Sequence, residues 1–448
     1  MQRDSLVIVG AGPAGLTAGL ELARRGERPL VVERAPRVGG MARTEVCQDF
    51  RFDIGGHRFL TTLPEVQKLW EELLPEAFLS VSRLSRIYFQ GRFFRYPIEL
   101  GDVIRSVGFR EGMRMGGSYF RARMAGHREE ETFDQWVSAR FGRRLYERFF
   151  EGYTEKVWGV PCNRLRAELA AERIQGLSLA TALWSALTGR RRLKTLTDRF
   201  QYPLLGPGMM WEAFQQKVEA LGGEVMLDAS VIRLRKEGNR VRSVTVRSEG
   251  RDQEIPVSRV LTSAPLRDLV RLMDPAPPPE VMQAAARLAY RDFILVGLVV
   301  DRDDLFPDQW IYIHSPDVAV GRIQNFKNWS RSMVPDARMT GLGMEYFCTR
   351  GDDLWNRPDH ALIDLAGRNL ERLGLCGKSD VVWGRVFRQT EAYPVYLLHT
   401  PDDVRKVKAY LRGMDNLHSM GRNGLHRYDN QDQAMVTGLQ AAGEVLKG

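Results

Sequence analysis

The chain has 448 residues, 44% of them hydrophobic and 27% charged, and carries a net charge of +9. That length allows two or three structural units at roughly 150 residues each, and the apolar fraction excludes a disordered chain. The 42 glycines and 21 prolines have no period, which excludes a collagen-like sequence. The longest apolar runs, such as residues 293–300, fall far short of the ~20 residues of a membrane-spanning helix. An apolar strand begins directly after Met1-Gln2-Arg3-Asp4, leaving no room for a signal peptide, so a cytoplasmic protein is expected.

The positive charge is uneven. Between residues 83 and 148, fourteen arginines stand against eight acids, and Arg190-Arg191-Arg192 with Lys194 forms a second cluster. Such a surface attracts phosphates, nucleic acid or an anionic membrane. No helix-turn-helix, zinc-finger or aromatic RNA-binding pattern accompanies it, so an anionic small molecule is the expected partner and nucleic acid is not. Cys47, Cys162, Cys348 and Cys376 contain no Cys-x-x-Cys pair. With seven scattered histidines they give no metal-ligand spacing, and neither a metal site nor a disulfide framework is expected.

In chain order, Leu6-Val7-Ile8-Val9 reads as a strand, Gly10-Ala11-Gly12-Pro13-Ala14-Gly15 as a turn, and residues 16–25 as a helix stopped by Gly26. Pro29-Leu30-Val31-Val32-Glu33 is the next strand. Gly-x-Gly-x-x-Gly therefore falls between a strand and a helix, as dinucleotide binding requires. Gly10 permits the tight turn, Gly12 lets a pyrophosphate approach the backbone, and Gly15 lets helix and strand lie close. The helix N-terminus offers its unpaired N–H groups to the phosphates. Glu33 ends the second strand, where a carboxylate accepts from ribose hydroxyls; a 2′-phosphate is disfavoured there.

Residues ~100 to ~200, rich in Arg, Leu, Ala and Glu, read as helical. Residues 225–227, 231–234 and 240–246 read as strands, with a hairpin turn at Glu237-Gly238-Asn239. Residues 275–279 hold four prolines and read as a crossover, followed by strands at 293–300 and 310–314. The last forty residues run strand (417–420), glycine loop and helix (about 431–446). No second Gly-x-Gly-x-x-Gly follows a later strand, which disfavours a flavin reductase with its own nicotinamide domain.

After Glu33 come Arg34 and then Gly39-Gly40-Met41-Ala42-Arg43-Thr44. This extension resembles that of FAD-binding proteins in the amine oxidase, protoporphyrinogen oxidase and UDP-galactopyranose mutase superfamily, and it implies FAD as the dinucleotide. Gly39-Gly40 would let the backbone approach the cofactor, and Arg43 would meet its phosphates. Phe52-Asp53-Ile54-Gly55-Gly56-His57-Arg58-Phe59 is similar to the mutase segment that lays a histidine loop near the flavin. Gly152-Tyr153-Thr154-Glu155-Lys156-Val157-Trp158-Gly159 resembles a specific mutase octapeptide, and Asp198-Arg199-Phe200-Gln201 a further mutase segment. Tyr393-Pro394-Val395, Gly421-Arg422, His426-Arg427-Tyr428 and Asp432 resemble the closing flavin and substrate segment. The chain departs from the mutase pattern at His426, where a tyrosine is common, and at Asn430, where an acid is.

The resemblance implies an α/β fold: a discontinuous Rossmann-like FAD-binding domain with a mixed helical and β-sheet substrate domain. The expected segments are 1–60, 205–274 and 393–448 for the FAD domain, 61–204 as a mostly helical cap, and 275–392 as substrate sheet and helices. Implied cofactor residues are Gly10, Gly12, Ala14, Gly15, Glu33, Arg34, Gly39, Gly40, Met41, Ala42, Gly56, His57, Val231, Gly421, Arg422 and Asp432. Implied catalytic residues are His57, Tyr153, Trp158, Arg173, Arg422 and Tyr428. Tyr153 and Trp158 would wall the substrate, Arg173 and Arg422 would clamp a diphosphate, and His57 would tune the flavin or relay a proton. In the mutases, reduced flavin N5 attacks the anomeric carbon of a nucleotide sugar and the ring recloses in its other size, so an external reductant is implied. The alternative is an FAD-dependent oxidase or dehydrogenase of the same superfamily, and an oligomer is compatible with either. A non-enzymatic flavin-binding protein associated with nucleic acid trails both.

Overall fold

The computed structural model describes residues 5–96, 109–125, 130–174 and 199–447. Two large sheets organise them. The first has eight strands in the order Met273–Asp274, Ala229–Glu237, Arg240–Ser248, Arg251–Thr262, Ser5–Val9, Pro29–Val32 and Glu224–Met226, with Leu417–Ser419 also beside Arg251–Thr262. Arg251–Thr262 joins two kinds of pairing. Its residues 251–256 run antiparallel to Arg240–Ser248, and 257–262 run parallel to Ser5–Val9. Glu237 pairs with Arg240 across Gly238-Asn239, a two-residue hairpin loop. Stretches at the start, middle and end of the chain thus share one sheet. The helices Pro13–Arg24, Gly208–Ala220 and Gln431–Lys447 bury their apolar faces against one another and against Ile8, Val31 and Leu261 of the sheet.

The second sheet has seven strands, in the order Val381–Pro394, Tyr290–Val300, Thr340–Cys348, Arg322–Asn325, Trp310–Ile313, Ser85–Phe89 and Arg92–Arg95. Tyr290–Val300 sits inside it and is buried on both faces, which accounts for its unbroken apolar sequence. The fourteen residues of Val381–Pro394 continue past the expected boundary at 392/393, so this strand ties the second sheet to the segment that closes the cavity.

Residues 61–204, expected as a mostly helical cap, hold both helices and strands among the described residues. Helices Phe109–Met124, Phe133–Phe141, Gly152–Trp158 and Ala167–Arg173 are present, but so are strands Phe78–Ser82, Ser85–Phe89, Arg92–Arg95 and Arg199–Pro203. Alternation decides the outcome in Ser85–Phe89: Ser85, Ile87 and Phe89 are buried while Arg86 and Tyr88 are partly exposed. Arg190, Arg191, Arg192, Lys194 and Asp198 lie outside the described residues.

Asp53 ends the strand Phe50–Asp53 and is buried. The Thr44 hydroxyl donates to one carboxyl oxygen at 2.8 Å and the Tyr202 hydroxyl to the other, while the Gly208 N–H donates to Thr44 Oγ1 at 3.0 Å. This knot holds the start of the 54–57 loop. Burial pushes the Asp53 carboxyl up to about 7, against the pull of both hydroxyl donors. The folded protein therefore keeps a proton that the unfolded chain has already released. The resulting stability is present at acid pH and is lost as pH rises through about 7. Asp53→Asn should remove a slope of up to about 1.4 kcal/mol per pH unit between about pH 5 and about pH 7. Denaturant titrations of both proteins across that range test this, and identical slopes would refute it.

Candidate functional site

A cavity of about 810 Å³ lies where the two sheets meet. On the side of the eight-stranded sheet it is lined by Gly10, Gly12, Ala14, Glu33, Arg34, Gly40, Met41, Ala42, Gly56, His57, Val231, Gly421 and Arg422. The helix Pro13–Arg24 starts here with Gly12 as an N-cap that makes no side-chain hydrogen bond, so its first N–H groups remain for an anion. Glu33 is buried and accepts from the Ala11 N–H at 2.8 Å through one carboxylate oxygen and from the Ala35 N–H at 2.9 Å through the other. Each oxygen keeps a lone pair for a hydroxyl donor.

Gly15 and Gly39 shape this wall without lining it. A Cβ on Gly15 would lie 1.8 Å from the Gly10 carbonyl oxygen. Gly39 has φ +100°, and its N–H donates to the Ala11 carbonyl at 2.8 Å, which brings Gly40 against Gly12. Asp432 also stays off the lining, whereas its neighbour Gln431 is on it. Arg43 lines the cavity, but its guanidinium donates to Glu45 at 2.6 Å, to the Gly40 carbonyl at 2.9 Å and to Gln389 at 2.8 Å, so it braces the turn.

On the side of the seven-stranded sheet the lining is aromatic and basic: Tyr96, Trp310, Tyr312, Arg322, Gln324, Trp329, Tyr393 and Tyr428. Trp310 pairs with Gln324 and Tyr312 with Arg322, so these four share one face of two adjacent strands. Arg322 donates to buried Glu345 through Nε at 2.9 Å and Nη2 at 2.5 Å, and Gln324 Nε2 donates to the other Glu345 oxygen at 2.9 Å. Tyr393 and Tyr428 stack at 5.8 Å with their planes 11° apart, and the Arg422 guanidinium lies 4.6 Å from the Tyr428 centroid. Arg422 donates to the carbonyls of Asp429 at 2.9 Å and Ala392 at 3.0 Å, and no carboxylate pairs with it among the described residues.

His57 lines the cavity and its Nε2–H donates to the Ile54 carbonyl at 2.9 Å. Burial, with the Arg422 and Arg322 cations adding to it, lowers its pKa to about 4. It is a neutral ring at physiological pH.

The octapeptide is placed differently from its expected role. Tyr153 stacks on His314 at 4.1 Å, and Trp158 sits behind the tyrosine pair, edge-on at 6.2 Å from Tyr393 and 6.3 Å from Tyr428. Neither lines the cavity, because both rings are taken up in packing against the second sheet. Lys156 Nζ donates to the carbonyls of Ile313, Ser315 and Val318 at 2.8–2.9 Å, pinning the 313–320 loop. Arg173 ends the helix Ala167–Arg173, and its side chain lies outside what the structure describes. Sequence reasoning missed Trp310, Tyr312, Arg322 and Gln324. Their signal was a two-residue alternation that sets polar groups on one face of otherwise apolar strands.

The cavity also fits a flavin dinucleotide by its unmet acceptors. Gln324 Oε1, Asn423 Oδ1 and Gln431 Oε1 are buried without a partner, and all three residues line it. Each amide is oriented by its nitrogen, which donates to Glu345, to the Glu391 carbonyl and to the Arg58 carbonyl respectively. A buried unpaired acceptor costs about 1–3 kcal/mol, so three together mark a wall that meets N–H or O–H groups of a ligand. Glu33→Ala removes the acceptor for two backbone N–H groups as well as for the ribose. It should lower FAD affinity at least about tenfold. The ratio of flavin to protein absorbance after gel filtration measures this, and an unchanged ratio would refute the assignment.

In structure, the chain superposes on reduced UDP-galactopyranose mutase with a TM-score of 0.87 and 21% identity, covering 99% of this chain and 96% of that one. It superposes on putrescine oxidase bound to putrescine with a TM-score of 0.64 and 18% identity, covering 99% of each chain. In sequence, it is 26% identical over 181 residues to a Klebsiella pneumoniae protein named as a probable UDP-galactopyranose mutase, covering 38% of this chain and 44% of that one. It is 27% identical over 293 residues to a Mycobacterium tuberculosis protein named for flavin-containing monoamine oxidase, covering 62% and 61%. The chain thus spans about half the length of these relatives. The profile of flavin-containing amine oxidoreductases matches residues 13–445, nearly the whole length. The chain belongs to the flavin-containing amine oxidoreductase family, as an FAD-dependent enzyme.

Proposed function

We propose that the protein is a nucleotide-sugar pyranose/furanose mutase that works with its flavin reduced. The observation that carries this reading is the charge of the cavity. Arg34, Arg43, Arg58, Arg322, Arg388 and Arg422 line it against Glu33, Asp268 and Asp429. Arg34 pairs with Glu391, Arg43 with Glu45, Arg322 with Glu345 and Arg388 with Asp359, whereas Arg422 is held by backbone carbonyls and has no carboxylate partner among the described residues, so its charge is left for an anion. A protonated amine would enter against this field, whereas a diphosphate gains about 1.5–3 kcal/mol for each charge-assisted hydrogen bond.

FAD, when bound, supplies a nucleophilic ring nitrogen in its reduced state and a two-electron acceptor in its oxidised state. The protein's own residues do the rest. The Tyr393 and Tyr428 rings, backed by Trp158, form a stiff wall for a sugar or base. Arg422 over that wall holds the departing diphosphate close enough to recombine. The tyrosine hydroxyls donate to sugar oxygens, since burial keeps Tyr393 protonated, with its pKa raised to about 12. His57, neutral, keeps the 54–57 loop in place beside the cofactor.

The second reading is an oxidase or dehydrogenase, favoured by the facing aromatic rings and by the monoamine oxidase-named relative. It predicts anaerobic flavin bleaching by the substrate, with peroxide formed in air if the enzyme is an oxidase. Under the mutase reading, dithionite-reduced enzyme interconverts the ring forms of a nucleotide sugar and the oxidised enzyme does not. If a panel of nucleotide sugars is left unconverted by reduced enzyme while an amine or alcohol bleaches the oxidised flavin, the mutase reading is wrong.

A further inference from the structure

The helix Phe109–Met124 carries a feature that neither the cofactor nor the cavity uses. Met113, Phe120 and Met124 are 64%, 66% and 88% exposed, more than any other large apolar side chain among the described residues. Spaced seven and four residues apart, they form one line along the helix. The opposite face buries Met115 and Tyr119 toward the rest of the cap. A protein surface seldom leaves such a stripe bare unless something covers it.

The flanks say what covers it. Arg110, Arg114, Arg121 and Arg123 are exposed along this helix. Its one acid, Glu111, lies 3.4 Å from Arg114 and 3.2 Å from Arg144, so it leaves the local charge strongly positive. Apolar protrusions edged by cations match the boundary between lipid headgroups and acyl chains when the headgroups are anionic. Nucleic acid would meet the arginines but would leave two methionines facing phosphates. Sixteen residues are too short to cross a bilayer, and no helix among the described residues is long and apolar enough to do so. The helix would therefore lie on a membrane, not through it.

We infer that this helix docks the enzyme on an anionic lipid surface, with Met113, Phe120 and Met124 inserted between headgroups and the flanking arginines against lipid phosphates. The basic stretch of residues 83–148 thereby gains a role independent of the reaction catalysed.

The test uses full-length, flavin-loaded protein sedimented with phosphatidylcholine vesicles and with vesicles that also contain phosphatidylglycerol. Binding is expected only to the second, and it should weaken as salt rises. Phe120→Ser with Met124→Ser should reduce partitioning about tenfold or more through lost apolar insertion. Arg110→Ser with Arg121→Ser should reduce it by a similar factor through lost charge. These side chains are exposed, so flavin content and thermal midpoint should stay unchanged and report on folding. The inference is overturned if the parent protein stays in the supernatant with phosphatidylglycerol vesicles, or if Phe120→Ser with Met124→Ser leaves binding intact. It is equally overturned if that variant instead converts a dimer to a monomer in sedimentation velocity, since the face would then join copies of this chain.

Discussion

Backbone approaches too close for a methyl group assemble the cofactor cradle, and the rest of the site hangs on them. A Cβ on Gly10 would lie 2.3 Å from Ser263 Oγ, and one on Gly438 would lie 2.3 Å from the Ala14 carbonyl oxygen. These contacts join the first turn of the chain to the end of Arg251–Thr262 and to the helix Gln431–Lys447. Only with the three segments this close does the uncapped N-terminus of Pro13–Arg24 face the same space as Glu33, His57 and Arg422. The contacts are steric and local, but their consequence is global, because they set where the second sheet can sit over the first.

Electrostatics then gives that space its character. Arg322, Glu345 and Gln324 form a buried chain in which the carboxylate neutralises the guanidinium and fixes the amide. Removing one member of such a pair strands the other charge, at a cost of about 3–5 kcal/mol, which ties the stability of the sheet to the composition of the cavity wall. Arg422 is held differently, by carbonyls and by two aromatic rings, so its charge stays available inside a low-dielectric pocket. Burial lowers the His57 pKa, and both cations add to that.

The dinucleotide half of this architecture was legible because its physics is local. A strand, a glycine turn, a helix and a terminal carboxylate fall within 33 residues, and each residue type answers to a contact a few positions away. The substrate half was not. Trp310 and Tyr312 reach the cavity only because Trp310–Ile313 pairs with Arg322–Asn325 on one side and with Ser85–Phe89 on the other. Ser85–Phe89 lies in the 61–204 segment expected as a mostly helical cap. Long-range pairing leaves only a faint two-residue alternation in the chain, and Glu345 inside an apolar run was the clearest clue that a buried partner such as Arg322 existed.

The octapeptide at 152–159 shows how a specific motif can mark structure more than chemistry. Lys156 holds a loop by its carbonyls, Arg291 donates to the Val157 carbonyl at 3.0 Å beneath Gly159, and Trp158 braces Tyr393 and Tyr428 from behind. Each of these contacts fixes the helix Gly152–Trp158 on the second sheet, and none requires a particular substrate. Such a scaffold serves a mutase and an oxidase equally well, so the motif cannot by itself choose between them. The choice falls to side chains that the scaffold leaves facing the cavity, namely Trp310, Tyr312, Arg322, Gln324 and the Tyr393–Tyr428 pair. Substitution on that face changes what the flavin meets while leaving the cradle intact, which is how one fold comes to carry more than one chemistry.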